Sequence, residues 1–205
     1  MLKYKIILAG AKGIGKTSLI TRYIDHKFYE KSLETIGVAF KRKKIQVEEN
    51  LSVEATIWDF GGEEKYRTLF PQYVQGATAA LILYDTTNKE TLDDVHNWVE
   101  LIDTYAGEET AKILIGTKID LKDQREITRE DANHACSDYN WCTDNIETSS
   151  KTGENVEEAF YTIAREIVNR KFQKCEACGE YYSKKLKYCV NCGEKSGLKV
   201  ASPPA

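Results

Sequence analysis

The sequence predicts an α/β protein: an open, mostly parallel sheet of six strands flanked by helices, followed by a small cysteine-rich appendage. Three observations carry that expectation. Along residues 4–172, short apolar runs alternate with stretches of helical periodicity, the pattern of strands laid parallel by helical crossovers. A glycine-rich turn, Gly10 to Thr17, joins the first apolar run to the first such helix. Two Cys-x2-Cys-Gly repeats lie at 175–179 and 189–193.

Tyr4–Ala9 reads as a buried strand, and Ser18–Ile24 follows with apolar residues at helical spacing. After a polar stretch, Asp25–Glu34, strands are expected over Val38–Val47 and Leu51–Trp58, turning near Glu48-Glu49-Asn50. In the second, Leu51, Val53, Ala55 and Ile57 alternate with polar residues, the period of a half-buried strand. Further strands fall at 80–85, 112–117 and 145–148. Helices are expected around Trp98–Ile102, over Ile127–Tyr139 and over Glu154–Phe172. The last puts Val156, Ala159, Phe160, Ile163, Ala164, Ile167 and Val168 on one face. Residues 1–172 are thus expected as one domain, 173–197 as a ribbon and 198–205 as a flexible tail.

With 205 residues, 41% of them apolar and 30% charged, the chain has the composition of a soluble globular protein. Its longest apolar run, Ala79–Tyr84, falls far short of the ~20 residues that span a bilayer. The first strand begins too early to leave room for a signal peptide, so a cytoplasmic protein is expected. Residues 171–205 carry seven Lys against three Glu, a balance of +4, and the total of −3 therefore leaves −7 on residues 1–170. An acidic body argues against nonspecific nucleic-acid binding there.

Gly10-Ala-Lys-Gly-Ile-Gly-Lys-Thr17 is Gly-x4-Gly-Lys-Thr at a strand-to-helix turn, the setting of a phosphate-binding loop. Its glycines let backbone N–H groups from Lys12 through Gly13, Ile14, Gly15, Lys16, Thr17 and Ser18 face a polyphosphate, helped by the helix N-terminus. Lys16 is expected to reach the β- and γ-phosphates and the Thr17 hydroxyl to ligate Mg²⁺. Asp59, at the end of a strand and followed by Gly61-Gly62, suits an acidic residue holding Mg²⁺ through water. The Gly62 N–H suits a contact to the γ-phosphate. Thr35 is a candidate second hydroxyl ligand. Thr117-Lys118-Ile119-Asp120 offers a carboxylate that accepts from both guanine N–H groups, with the Lys118 stem along the base. Ser149-Ser150-Lys151 offers N–H groups to guanine O6. All these motifs sit at carboxyl ends of strands, where open α/β sheets bind ligands.

These segments, Gly10–Thr17, Thr35, Trp58–Glu64, Thr117–Asp120 and Glu147–Lys151, resemble the five guanine-nucleotide boxes of Ras-like small GTPases. The likeness is to the Rab branch: Thr35–Phe40 is similar to its switch I, Glu64–Leu69 to its switch II, and Glu147–Phe160 to its last box. It covers about residues 1–172 and implies the P-loop NTPase (small G-protein) fold and a GTP/GDP switch. Loops near 28–40 and 59–75 are then ordered by the γ-phosphate. It also implies that Phe28 lies against guanine. Phe40, Trp58 and Tyr73 fall where Rab proteins carry an aromatic trio for effectors, and core packing is an equally good account of Phe40 and Trp58. An exchange factor and a GTPase-activating protein are implied partners.

Several residues depart from the family pattern. Glu63 stands where a Gln orients the attacking water. A carboxylate can accept from that water or take its proton, yet its charge opposes the γ-phosphate, so hydrolysis is open to run faster, slower or by another route. Lys12 replaces a small residue. It can crowd the γ-phosphate and exclude an activating arginine, fold over the phosphates, pair with Glu63, or point to solvent. Lys16, Thr35, Glu63 and Lys12 are the residues expected to act in hydrolysis. Phe60 and Gly61 replace the usual Thr and Ala, Thr117 the commoner Asn, and Ala39 the usual switch I Asp.

Cys175, Cys178, Cys189 and Cys192 form two knuckles with ten residues between them, a pattern that resembles a zinc ribbon folded by Zn²⁺. Two disulfides or an Fe–S centre are the other chemistries open to them. Cys136 and Cys142 read as packing residues. Tyr181, Tyr182 and Tyr188 with Lys184, Lys185 and Lys187 suit nucleic acid or an acidic partner, or merely cover a small ribbon. Ala201-Ser-Pro-Pro-Ala205 carries no readable lipidation motif, so any membrane recruitment is expected to be indirect, with the ribbon as the docking candidate. The sequence therefore supports a Rab-like GTPase with GTP/GDP, Mg²⁺ and Zn²⁺ as ligands. Two other readings stay open: a GTP-binding scaffold with negligible hydrolysis, and a ribbon adaptor for nucleic acid or protein gated by the G domain.

Overall fold

The computed structural model describes residues 3–30, 35, 37–61, 70–139, 142 and 144–195. Its main sheet is built from β1 (Lys3–Ala9), β2 (Val38–Glu48), β3 (Leu51–Phe60), β4 (Ala79–Asp85), β5 (Ala111–Thr117) and β6 (Asn145–Glu147), in the order β2-β3-β1-β4-β5-β6. Every neighbouring pair is parallel except the β2–β3 hairpin. The central strands are buried on both faces, which is why they read as continuous apolar runs. The edge strand β2 instead exposes Phe40, Arg42 and Lys44, and such charges discourage further strand pairing.

Helices cover both faces. One layer of core packs α1 (Lys16–Asp25) and α6 (Val156–Lys171) on the sheet, and Tyr23 stacks on Phe160 with ring centroids 3.8 Å apart. The other layer packs α2 (Phe70–Val74), α4 (Val95–Ala106) and α5 (Arg129–Tyr139), with Phe70 edge-on to Trp98. A short helix α3 (Lys89–Asp93) precedes α4. The six-stranded sheet is as expected, with shifts at element ends. β3 runs to Phe60 because Phe60 pairs with Val38. α5 starts at Arg129 because the Thr128 and Asp131 side chains cap each other's backbone N–H groups.

α6 ends at Lys171 because Phe172 starts β7 (Phe172–Lys174), which pairs antiparallel with β8 (Tyr181–Ser183) in a separate two-stranded sheet. This ribbon lies at the amino-terminal edge of the parallel strands. Phe172 packs edge-on to Tyr4, the Tyr181 hydroxyl donates to Glu48 at 2.6 Å, and Lys184 Nζ donates to the Asn169 carbonyl at 2.6 Å. One expectation needs correction. Cys136 and Cys142 do pack against the second core layer, but they are joined as a disulfide with Cα atoms 5.3 Å apart. Spacing along the chain could not show that Cys142 comes within bonding distance of Cys136.

Phe160 is fully buried and carries the stacking between α1 and α6. Phe160→Ala should destabilise the protein by about 3–5 kcal/mol in urea unfolding, and a loss under ~1 kcal/mol would mean the two helices are held by other contacts.

Candidate functional site

The loop leaving β1 is shaped by backbone geometry. Gly10, Gly13 and Gly15 all take positive φ, and Gly15 is the left-handed residue from which α1 starts. Lys16 is buried and folds back over the loop, its ammonium 2.7 Å from the carbonyls of both Gly10 and Ala11. The Thr17 hydroxyl donates to Asp59 Oδ2 at 2.6 Å and lies 2.6 Å from Thr35 Oγ1, which itself donates to Asp59 at 3.1 Å. Asp59 Oδ1 is buried with no hydrogen-bond partner among the described residues. Burial pushes the Asp59 carboxyl above the usual carboxylate range, against the pull of Thr17, Lys16 and Thr35. Two hydroxyls and an under-satisfied carboxylate are hard oxygen donors that fit Mg²⁺.

Beside this cluster lies a cavity of about 480 Å³, lined by Lys12, Gly13, Ile14, Gly15, Lys16, Thr17, Ser18, Phe28, Thr35, Thr117, Lys118, Asp120, Ser150 and Lys151. Fourteen expected residues, drawn from separate parts of the chain, thus share one wall. Ser149 lies beneath it and donates to Asp120 Oδ1 at 2.6 Å, so it positions the carboxylate. Gly62 and Glu63 lie outside the described residues.

Other residues of the site escaped the sequence reading. Tyr29, Glu30 and Leu121 also line the cavity, together with Phe60 of the Trp58–Glu64 segment already singled out. Lys118, in the left-handed region, pairs with the buried Asp85 at 2.5 Å. Arg22 on α1 donates from Nε to the Ser150 carbonyl and from Nη2 to that of Lys151, tying the two ends of the cavity. Asp85 ends an apolar run and so left a local signal; Arg22 left none. Thr117 Oγ1 is 2.7 Å from the Ile14 carbonyl and 2.9 Å from that of Tyr84, a link between the glycine-rich loop and the β5 end.

Away from the cavity, Phe40, Trp58 and Tyr73 do assemble, with successive ring centroids 5.4 and 6.0 Å apart. Phe40 is exposed, whereas Trp58 and Tyr73 pack partly on the core, so the trio is both surface and packing. In the ribbon, the Sγ atoms of Cys175, Cys178, Cys189 and Cys192 all lie within 4.8 Å of one another, and none of the four is in a disulfide. The two knuckles repeat one geometry: Cys175 N bonds Glu180 O and Gly179 N bonds Cys175 O, as Cys189 N bonds Glu194 O and Gly193 N bonds Cys189 O. Hydrogen bonds from the Glu180 backbone and the Asn191 side chain pull the Cys178 thiol down to about 6.

Comparison with known proteins decides the family. The model of the Ras family matches residues 5–169. The chain belongs to the Ras family. It is similar to human Ras-related protein Rab-8B, 34% identical over 86% of this chain and 85% of that protein. Ras-related protein Rab-1 of Theileria annulata is 40% identical over 82% of this chain and 75% of its own length. The GTP-binding protein ypt2 of Schizosaccharomyces pombe is 37% identical over 86% of each. This Rab-like small GTPase is a GTP/GDP switch that hydrolyses GTP, and its family binds Mg²⁺ with the nucleotide. The family match stops before the cysteine knuckles. Among the described residues, no helix is long and apolar enough to cross a membrane.

Thr117→Val keeps the shape of the side chain but removes the hydroxyl shared by Ile14 and Tyr84. GDP affinity measured by calorimetry should fall about tenfold. Unchanged affinity would show that the link does not reach the nucleotide.

Proposed function

We propose that GTP binds with its phosphates along Lys12–Ser18 and its base between Phe28, Lys118 and Asp120, with Ser149, Ser150 and Lys151 closing the base end. The observation that carries this reading is the convergence of Asp59 on Thr17 and Thr35, which line the cavity with Lys16, with one carboxylate oxygen lacking a partner among the described residues. Lys16 exchanges the Gly10 and Ala11 carbonyls for β- and γ-phosphate oxygens. Thr17, Thr35 and Asp59 hold Mg²⁺, which supplies positive charge against the phosphoryl oxygens. Loss of the γ-phosphate frees Thr35 and the Gly62 N–H, so the loops near 28–40 and 59–75 change together. Effectors of a membrane-trafficking type read that change across Phe40, Trp58 and Tyr73. An exchange factor and a GTPase-activating protein act on the same loops.

Glu63 and Lys12 set the intrinsic rate. Single-turnover hydrolysis of preloaded GTP with Mg²⁺ tests them, wild type beside Glu63→Gln and Lys12→Gly. The expected result is phosphate release by the wild type, slowed about tenfold or more in at least one variant. Equal rates would remove both residues from catalysis. A wild type that keeps GTP intact would replace the self-timed switch with a scaffold or an enzyme dependent on its activator.

Residues 173–197 are read as a zinc ribbon, a unit distinct from the G domain of residues 1–172. The support is metric: a tetrahedron with Zn–S bonds of ~2.3 Å has edges of about 3.8 Å. Cys175–Cys192 and Cys178–Cys189 are 3.6 and 3.7 Å apart. Four thiolates close the coordination, so the metal is structural. Elemental analysis should find about one zinc per chain. Cys175→Ser/Cys189→Ser should lose the metal while keeping GDP binding. Iron in place of zinc, or full ribbon order in the metal-free chain, would overturn this reading.

A further inference from the structure

The ribbon carries a surface that the nucleotide site does not use. Leu186, Tyr188 and Val190 are 42%, 56% and 74% exposed within a five-residue span. Lys185 and Lys187 alternate with them, Lys195 is bridged to Tyr188, and Glu194, exposed beside Lys195, is the single acidic residue in 181–195. Large aliphatic groups left in water beside a run of lysines mark a contact surface. We propose that this turn is a direct contact site for an anionic membrane surface. Leu186, Tyr188 and Val190 enter the interface while Lys185, Lys187 and Lys195 meet acidic lipid headgroups.

Four observations favour a lipid surface over other anions. Nucleic acid needs several stacking rings, but Tyr182 is only 5% exposed and Tyr181 is half-buried and bonded to Glu48, which leaves Tyr188. A protein partner normally buries ~800 Å² on each side, and three side chains fall well short of that. The basic residues are all Lys, with no Arg in residues 171–195; a flexible point charge suits a diffuse anionic surface better than the bidentate recognition of a carboxylate. Finally, α6 separates the ribbon from the cavity by 16 residues, about 24 Å of helix, so a membrane there leaves the switch loops open to effectors. Tyrosine is at home at such an interface, with its ring in the headgroup layer. Recruitment would then be direct, where the sequence suggested an indirect route.

The inference rests on the ribbon being folded, so zinc content and GDP binding are measured on every variant to separate a lost ribbon from a lost lipid contact. The zinc-loaded full chain is sedimented with vesicles of phosphatidylcholine containing about 30% phosphatidylserine, and with phosphatidylcholine alone. The wild type should pellet with the first and not the second. Lys185→Glu/Lys187→Glu should weaken binding about 25-fold or more, and Leu186→Ser/Val190→Ser by about tenfold or more, with metal and GDP retained. No pelleting by a zinc-loaded wild type would overturn the proposal. Vesicle binding indifferent to Leu186→Ser/Val190→Ser would overturn it too. So would tighter retention on poly(U) that depends on the lysines alone, which would make the turn a nucleic-acid surface.

Discussion

Gly10 is where the sheet becomes a binding site. A Cβ there would lie 2.7 Å from the Leu83 carbonyl oxygen and 2.2 Å from Ile14 Cδ1, and its φ of +140° is one that side chains rarely adopt. Only glycine lets the chain leaving β1 lie down on the end of β4. That close approach sets the loop in reach of β5 as well, through the Thr117 hydroxyl and the Ile14 carbonyl. Three strand ends therefore hold one loop, and the cavity follows from their common edge.

The loop then holds its own cation. Two carbonyls hold the Lys16 ammonium, and three side chains from α1, β3 and residue 35 gather within hydrogen-bonding distance of one another. Asp59 is buried with one oxygen unsatisfied among the described residues, an arrangement that costs stability unless a cation or donor arrives. Such local strain in charge placement is common where a protein must respond to a ligand. Here it sits where Thr35 joins the cluster, at the edge of the segment that the resemblance assigns to switch I.

At the other end of the sheet, the ribbon is attached without a linker. α6 passes directly into β7, and Phe172, Tyr181 and Lys184 bind it to β1, the β2–β3 turn and the end of α6. Its small size leaves little apolar surface to bury, so under the zinc reading proposed above a metal held by the four cysteines would supply much of its folding energy. The two ends differ in chemistry as well: a cavity with Lys16 buried beside Thr17 and Thr35 at one, and exposed Leu186, Tyr188 and Val190 among lysines at the other.

What the sequence determined by itself is whatever short-range spacing dictates. Gly10–Thr17 and each Cys-x2-Cys-Gly knuckle are local: the turns and the glycine conformations are set by residues within a few positions of one another. The alternation of apolar runs and helical stripes likewise announced the parallel sheet, because strands buried on both faces can contain little else. Tertiary structure alone decided the rest. Arg22 meets the Ser150 carbonyl across 128 residues, Lys118 meets Asp85, Cys136 closes on Cys142, and Tyr182 turns into the ribbon while Tyr188 turns out. These depend on how helices and strands pack, and packing of distant segments leaves no periodicity in the chain to read.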